Sequence, residues 1–152
     1  GEQYDSTDKF QQLRSEIEEI YTDLRELALV AFKKDEIRKK SLGLDLPKKR
    51  SFAGLSDQAG QFFTNSLNDE TAKKELAKLG VTAEFLTLGN AKLKEAVTAK
   101  VAAEKEKAEA IKATEDRDIK LEELEDIMSD FRAVSQVSLR KRPDLLKKMG
   151  YN

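Results

Sequence analysis

Residues 10–31, FQQLRSEIEEIYTDLRELALVA, decide the fold because their apolar residues recur in alternating steps of three and four. This spacing keeps apolar side chains on one face of a helix, where they pack against a partner helix. The stretch therefore predicts an all-α protein whose first long helix packs in the manner of a coiled coil. The predicted core positions are Phe10, Leu13, Ile17, Ile20, Leu24, Leu27 and Ala31.

The composition removes the residues used in several kinds of chemistry. The 152-residue chain contains no His, Cys or Trp. It therefore lacks the commonest general base, the commonest metal ligands and the best thiol nucleophile. Charged residues make up 38% of the chain, but 28 basic residues nearly balance 29 acidic ones, which gives a net charge of −1. A near-neutral domain lacks the strongly basic surface typical of nucleic-acid-binding proteins.

The apolar periodicity continues along the chain and predicts a single helical domain, residues 1–152. Because the connections are short, the long helices are expected to form an antiparallel, up-and-down four-helix bundle. A short C-terminal helix should follow, since Pro143 suits the first position of a helix and Gly150 its end. The predicted helices cover about 7–41, 52–79, 82–114, 117–142 and 143–149.

Residues suited to helix ends set most of these boundaries. Ser6 or Thr7 is expected to cap the first helix, and Thr82 is expected to cap the third, because their hydroxyls accept bonds from free backbone amides. Gly43 and Gly80 are expected to end helices in the left-handed conformation that glycine adopts most readily. These residues predict turns near 43 and 80.

Two boundaries leave alternatives open. The helix over 52–79 is expected either to run through Asn68 and Asp69 or to divide there, with Asp69 as a cap. Residues 114–118 are predicted to form a tight turn, with Thr114 or Asp116 as cap, because helices beyond about 25 residues usually need special support. The alternative is one helix of about 60 residues, since the heptad phase nearly persists through the predicted turn.

Large apolar residues in the last quarter of the chain are predicted to complete the bundle core. Because a buried unpaired charge is strongly destabilising, Ile17→Asp and Leu124→Asp are both expected to unfold the protein. The predicted core residues of this region are Leu121, Leu124, Ile127, Met128, Phe131, Val134 and Leu139.

A basic loop after the first helix is the candidate binding site. It could hold an anion, an acidic lipid headgroup or a phosphate backbone. The competing and simpler interpretation is charge compensation at a helix C-terminus, because Asp35, Glu36 and Asp45 dilute the positive field. The candidate contact residues are Lys39, Lys40, Lys48, Lys49 and Arg50.

An acidic run, Glu122 to Asp130, is the remaining candidate for chemistry. Helical bundles hold pairs of metal ions with Glu together with Glu-x-x-His pairs, and the chain has no His. The acidic residues alternate with apolar ones, which is typical of a solvated face. We therefore predict no catalytic residue, no cofactor-binding residue and no metal site.

Several short motifs lie in the second half of the chain, from about Phe52 to Gly150. They are Gly80-Val81-Thr82, Thr114, Arg117-Asp118, Leu121, Leu124, Asp130-Phe131 and the tail from Arg142 to Gly150. This pattern resembles a bacterial helical-bundle family found in Bacteroidetes, and it departs at Asp126-Ile127, where the family has an aromatic residue. Because the family has no assigned activity, the resemblance implies a bacterial helical bundle and no particular function.

These features favour a non-catalytic structural or protein-interaction protein that binds an unknown protein or forms a weak homodimer. Binding of anionic partners by the basic loop is the alternative, and a carboxylate or metal enzyme is the least favoured function. No apolar run approaches the length of about 20 residues that spans a membrane. Together with the absence of cysteine and of a visible signal peptide, this predicts a cytoplasmic protein.

Overall fold

The structure is a computed structural model that describes residues 2–140. These residues contain no β-strand, which confirms the all-α class. They do not form the four long helices expected, because one helix is far longer than predicted and two are divided. The helices are α1 (Glu2–Ala31), α2 (Glu36–Ser41), α3 (Phe52–Asn68), α4 (Glu70–Lys78) and α5 (Ala83–Arg140). The helix predicted over 143–149 lies outside the described residues.

The chain divides into two compact units at the bond between Glu106 and Lys107. The first unit contains α1 to α4 and the first part of α5. The second unit begins at Lys107, and its described part is the remainder of α5. Helix α5 is 58 residues long and is continuous across the boundary.

The predicted helix over 7–41 starts too late and is interrupted after Ala31, although α2 ends at Ser41, where the predicted helix ends. Helix α1 begins at Glu2, and the Ser6 hydroxyl donates a hydrogen bond to Glu106 Oε1 (2.8 Å) instead of capping α1. The helix ends at Ala31, and α2 begins after Asp35, whose carboxylate accepts the backbone N–H of Arg38 at 3.0 Å. Aspartate competes with helical backbone bonding in this way, and so it interrupts the helix.

The second predicted helix, 52–79, divides at Asp69, which confirms the alternative in which Asp69 caps a separate helix. The Asp69 carboxylate accepts the amides of Thr71 (3.1 Å) and Ala72 (3.2 Å) and so caps α4. Helix α2 ends at Ser41 and α4 at Lys78, and each is followed two residues later by a left-handed glycine, Gly43 (φ +73°) and Gly80 (φ +87°), which confirms the turns predicted there.

The predicted turn at 114–118 is wrong, and so are the two helices 82–114 and 117–142. Helix α5 begins with Thr82 as its cap, because Thr82 Oγ1 accepts the amide of Phe85 at 3.1 Å. It then continues through Thr114, whose hydroxyl donates to the carbonyl of Ala110 one turn earlier (3.0 Å). Residues 114–118 contain neither Gly nor Pro, so nothing in the backbone stops the helix.

The buried stripe of α1 differs from the predicted heptads in its period. Tyr21, Ala28 and Phe32 occupy the core, whereas Leu27 is 38% exposed. The buried positions advance by about 3.7 residues per step, near the period of a straight helix, while heptads advance by 3.5 and require supercoiling. The buried residues are Phe10, Leu13, Ile17, Tyr21, Leu24, Ala28 and Phe32.

Aromatic rings from α3 fill the space beside the small residues of α5. Phe62 contacts Tyr21 of α1 edge to face, with ring centroids 5.9 Å apart, and also contacts Phe63 at 5.7 Å. The Phe63 ring lies against Gly89, where a Cβ atom would be only 2.7 Å from the ring. The buried residues of α5 are Leu86, Gly89, Leu93, Ala96 and Ala99, all within the first unit.

Candidate functional site

A buried arginine of α1 holds the backbone of the basic loop between α2 and α3. Arg25 of α1 is only 9% exposed. Its guanidinium donates to the Tyr21 hydroxyl and to the Gly43 carbonyl, both at 3.2 Å, and also to the Leu46 carbonyl. These acceptors satisfy a buried cation without a carboxylate, so Arg25 organises the loop and is not available to a ligand.

Side chains of α3 hold the other side of the loop. The buried Gln58 donates to the Pro47 carbonyl (2.9 Å) and accepts the Lys49 amide (2.8 Å). Gln61 and Asn65 both donate to the Ser41 carbonyl, at 3.0 and 2.6 Å. The loop therefore has a defined conformation, and its exposed cations are displayed on an ordered backbone.

The five predicted contact residues fall into two groups. Lys39 pairs with Glu36 at 3.2 Å, and Lys48 pairs with Glu18 at 3.4 Å and donates to a threonine hydroxyl at 2.8 Å. Lys40, Lys49 and Arg50 are exposed. Two of the five cations are thus already engaged by acceptors of the same protein, and three remain exposed to solvent.

Two further cations, which the sequence analysis missed, lie beside the start of α3. The Arg14 guanidinium carbon lies 5.8 Å from the centroid of the Phe52 ring, and Lys100 Nζ lies 5.3 Å from it. Arg14 also donates to the Arg50 carbonyl at 3.4 Å. These residues come from α1 and α5, so only the tertiary fold brings them to the loop.

A charged triad connects α2 with the beginning of α4. Arg38 lies 2.8 Å from Asp35 and 3.0 Å from Asp69. The Arg38 side chain and amide lower the pKa of Asp35, and the two carboxylates raise the pKa of Arg38. For Asp69, partial desolvation acts in the opposite direction, but the Ala72 amide and the Arg38 side chain still hold its pKa below the ordinary value.

An ion pair connects α1 with the first part of α5. Lys92 Nζ lies 2.8 Å from Glu16 Oε2. The ammonium lowers the pKa of Glu16, and the carboxylate raises the pKa of Lys92. Both residues are half-buried and their charges are matched, so the pair serves packing of the first unit better than it serves ligand binding.

A small apolar groove lies elsewhere on the first unit, where α1 meets the residues around Gly80. Its volume is about 310 Å³. Its walls include Leu27, which is 38% exposed, and Phe85, which is 44% exposed. The carboxylates of Glu19 and Asp23 lie at its edge, so the groove has an acidic rim and no basic residue lines it.

The second unit displays a surface of a different kind. Six large apolar residues of α5 are each between 50% and 67% exposed. At 100° per residue they occupy one side of the helix, about 140° of its circumference. We call this surface the distal face, and it consists of Leu121, Leu124, Ile127, Met128, Phe131 and Val134. The prediction that these residues are buried in a bundle core is wrong in the chain taken alone.

Several acidic residues lie on the other sides of the helix, beside the distal face. Glu122, Glu123, Glu125, Asp126 and Asp130 are all exposed. Within residues 2–140, no group of three or more acidic side chains is arranged to hold a metal ion. None of the helices described between Glu2 and Arg140 is long and apolar enough to cross a membrane.

Comparison of the chain with protein-family models, with curated proteins and with solved structures finds no match. The resemblance to a bacterial helical-bundle family therefore stays a prediction. Function is inferred below from the two surfaces, the basic loop and the distal face.

Proposed function

We propose that this chain is a non-catalytic protein-interaction module that binds its partner through the distal face of α5. The observation that carries the proposal is the exposure of six large apolar side chains on one side of a helix, within 14 residues of sequence. Protein surfaces scatter such residues singly, and a contiguous set marks an interaction site.

The energetics favour coverage of this face by another protein. Full burial of a Leu, Met or Phe side chain is worth about 1.5–3 kcal/mol, so covering half or more of each of six side chains is a substantial driving force. Phe131 is the largest of them and is 67% exposed. Aromatic residues are enriched in protein interfaces.

The first unit does not need the distal face for its own core. Its core residues come from α1, α3, α4 and the connecting segments, and from α5 no further than the partly buried Ala103. A core that is closed without the distal face leaves that face free for recognition. The first unit thus has a complete core of its own, while the distal face stays exposed, and this supports an interaction module.

A photo-crosslinking experiment in cells of the source organism tests this function. A benzophenone amino acid replaces Leu124 in the full chain, and the matched control carries it at Asp126, which is exposed on the opposite side of the helix. We expect discrete covalent protein adducts from position 124 and few or none from position 126. Equal labelling at both positions, or no protein adduct at 124, would contradict the proposal.

Binding of an anionic partner is the second candidate, favoured by the cations around Phe52. Arg14 and Lys100 both lie within 6 Å of this ring. Together with the exposed Lys49 and Arg50 they form a positive surface that suits phosphate groups. Titration with vesicles of acidic lipid and with a nucleic acid, at low and high salt, tests it. Salt-sensitive binding that Arg14→Gln weakens would support this candidate.

Three further proposals accompany this function. We keep an antiparallel, up-and-down order for the longer helices of the first unit, because short connections favour it. We keep membership of the bacterial helical-bundle family on the residues that resemble it. We keep a cytoplasmic location, because a chain without cysteine suits a reducing compartment.

A further inference from the structure

The distal face carries a charge pattern that specifies its partner. Residues 115–126 contain seven acidic and two basic residues, whereas residues 129–140 contain two basic residues and one acidic residue. The net charge therefore changes from −5 on the N-terminal side of the middle of the distal face to +1 on its C-terminal side. Such a segment is complementary to its own sequence when the two copies run in opposite directions.

We infer that the distal face binds a second copy of this chain in an antiparallel arrangement. The inference rests on the proposed function and names its partner. Reversed about a point between Ile127 and Met128, the apolar stripe superimposes on itself, so that Leu124 of each copy lies level with Phe131 of the other.

The flanks of the helix favour the same orientation. Asp118, Glu125 and Arg132 lie seven residues apart and share one flank of the distal face. In an antiparallel pair with two-fold symmetry, each flank faces its own counterpart in reversed order. Arg132 of one copy therefore faces the acidic positions of the other, in two symmetric pairs.

A parallel pair and a membrane surface are both disfavoured by charge. In a parallel, in-register pair the acidic residues 115–126 would lie beside their own copies, which is repulsive. Acidic lipid headgroups would be repelled by the same residues. The antiparallel homodimer is the arrangement that covers the apolar stripe without placing the acidic segment beside its own copy.

The absence of cysteine from the sequence allows a direct test of orientation. Two single-cysteine variants of the full chain are prepared, Leu121→Cys and Val134→Cys, at opposite ends of the distal face. After mild oxidation, an antiparallel pair gives a disulfide-linked dimer mainly when the two variants are mixed, and mass spectrometry identifies the mixed species. Disulfide dimers of each variant alone would show a parallel pair and overturn the inference.

Sedimentation equilibrium of the cysteine-free chain measures the association itself. We expect a concentration-dependent monomer–dimer equilibrium that weakens as salt is added, because opposite charges attract across the interface. Leu124→Asp is expected to weaken dimerisation more than about a hundredfold, since each dimer loses two apolar contacts. Asp126→Asn, on the opposite side of the helix, is the control and should leave the dissociation constant within about twofold.

Exchanging the charges at positions 132 and 125 distinguishes a specific antiparallel pair from non-specific apolar association. Arg132→Glu is expected to weaken dimerisation about tenfold, and Glu125→Arg in the same chain should restore most of the loss. A chain that is monomeric at all concentrations overturns the inference, as does binding of the monomer to vesicles through Leu124. If position 124 still forms adducts with a different protein in cells, the proposed function stands and only the choice of partner is wrong.

Discussion

The stripe of α1 and the distal face of α5 have nearly the same sequence pattern and opposite environments. Both gather apolar residues on one side of a helix, with most neighbours three or four residues apart. The α1 positions are at most 8% exposed, whereas every residue of the distal face is at least 50% exposed. A periodic apolar pattern thus specifies that a helix has an apolar face, and it does not specify what covers that face.

The difference between the two regions lies in what surrounds each helix in the chain. Helix α1 is followed by α3 and α4, which supply Phe62, Phe63 and Leu76 to the same core. The distal face is formed late in a long helix whose small buried residues, Ala96 and Ala99, come from its first part. The core of the first unit is complete before the sequence reaches Leu121.

The largest expected effect comes from placing the same charge in each stripe. Ile17 is fully buried, so Ile17→Asp should lower the free energy of unfolding of the first unit by about 4 kcal/mol or more. Leu124 is 55% exposed, so Leu124→Asp should change it by less than about 0.5 kcal/mol. Urea unfolding followed by circular dichroism, at a protein concentration low enough to avoid association, measures both.

This pair of variants also tests the first expectation drawn from the sequence, that both substitutions unfold the protein. If Leu124→Asp unfolds the chain as Ile17→Asp does, the distal face is buried within the monomer and the comparison fails. If neither variant is destabilised, the stripe of α1 has been assigned to the wrong face.

Local chemistry in the sequence predicted the helix ends that depend on a single residue. Gly43, Gly80 and Thr82 end or begin helices as expected, because each acts through its own backbone or hydroxyl. The period of the α1 stripe was not predicted, because Ile20 and Tyr21 are both apolar enough for the core. Which of them is buried depends on whether the helix supercoils, and that depends on its partners.

Asp35 and Thr114 show why interior helix breaks are hard to predict. Each is a good capping residue within a stretch that is otherwise helical. Asp35 pairs with Arg38 three residues later, and Arg38 also bonds to the distant Asp69 at the start of α4. Thr114 satisfies its hydroxyl within its own helix at the Ala110 carbonyl. The sequence alone does not contain the long-range contact that distinguishes the two.

The candidate sites were predictable to different degrees. The exposed cations Lys40, Lys49 and Arg50 follow from composition, since long basic side chains are rarely buried. Arg14 and Lys100 are distant in sequence from Phe52, and only the packing of α1 and α5 around α3 brings them together. The residues of the distal face were identified correctly as apolar and were wrongly assigned to the core.

A smaller effect is expected from adding one methyl group at two glycines of the first unit. At Gly89 the new Cβ would lie 2.7 Å from the ring of the fully buried Phe63, so the ring would have to shift and Gly89→Ala should destabilise by about 1–3 kcal/mol. At Gly60 the nearest atom is a Leu93 methyl at 3.8 Å. Gly60→Ala should therefore stabilise the unit by about 0.5–1 kcal/mol, because alanine favours helix.

Thermal and urea unfolding of the two glycine variants give the sign of each change. Destabilisation by Gly89→Ala together with stabilisation by Gly60→Ala would confirm that there is no space for a methyl group at Gly89 and that there is space for one at Gly60. Equal destabilisation would indicate that Gly60 is also closely packed, and no change at Gly89 would show that Phe63 is free to move. Either outcome would show that the packing around these two glycines differs from that described for the core of the first unit.

The smallest effect is expected from acid, and it concerns the triad of Asp35, Arg38 and Asp69. The pKa values of both carboxyl groups are lowered in the folded chain. Their contribution to stability is therefore fully present above the pKa that the carboxyl groups have in the unfolded chain, and it is lost as the pH falls through the lower, folded pKa. Because the triad is on the surface, salt and solvent keep this contribution small.

Arg38→Gln isolates this contribution, because it removes the cation and leaves both aspartate caps in place. We expect the wild-type chain to be more stable than the variant at neutral pH, and the difference should shrink as the pH is lowered into the acid range. Lys40→Gln, an exposed neighbour on α2, is the matched control and should show a smaller difference that changes little with pH. If the stability difference for Arg38→Gln instead stays constant in acid, the Arg38 side chain acts through packing and not through charge. Helix α2 would then be held to α4 by apolar contact, as in the core.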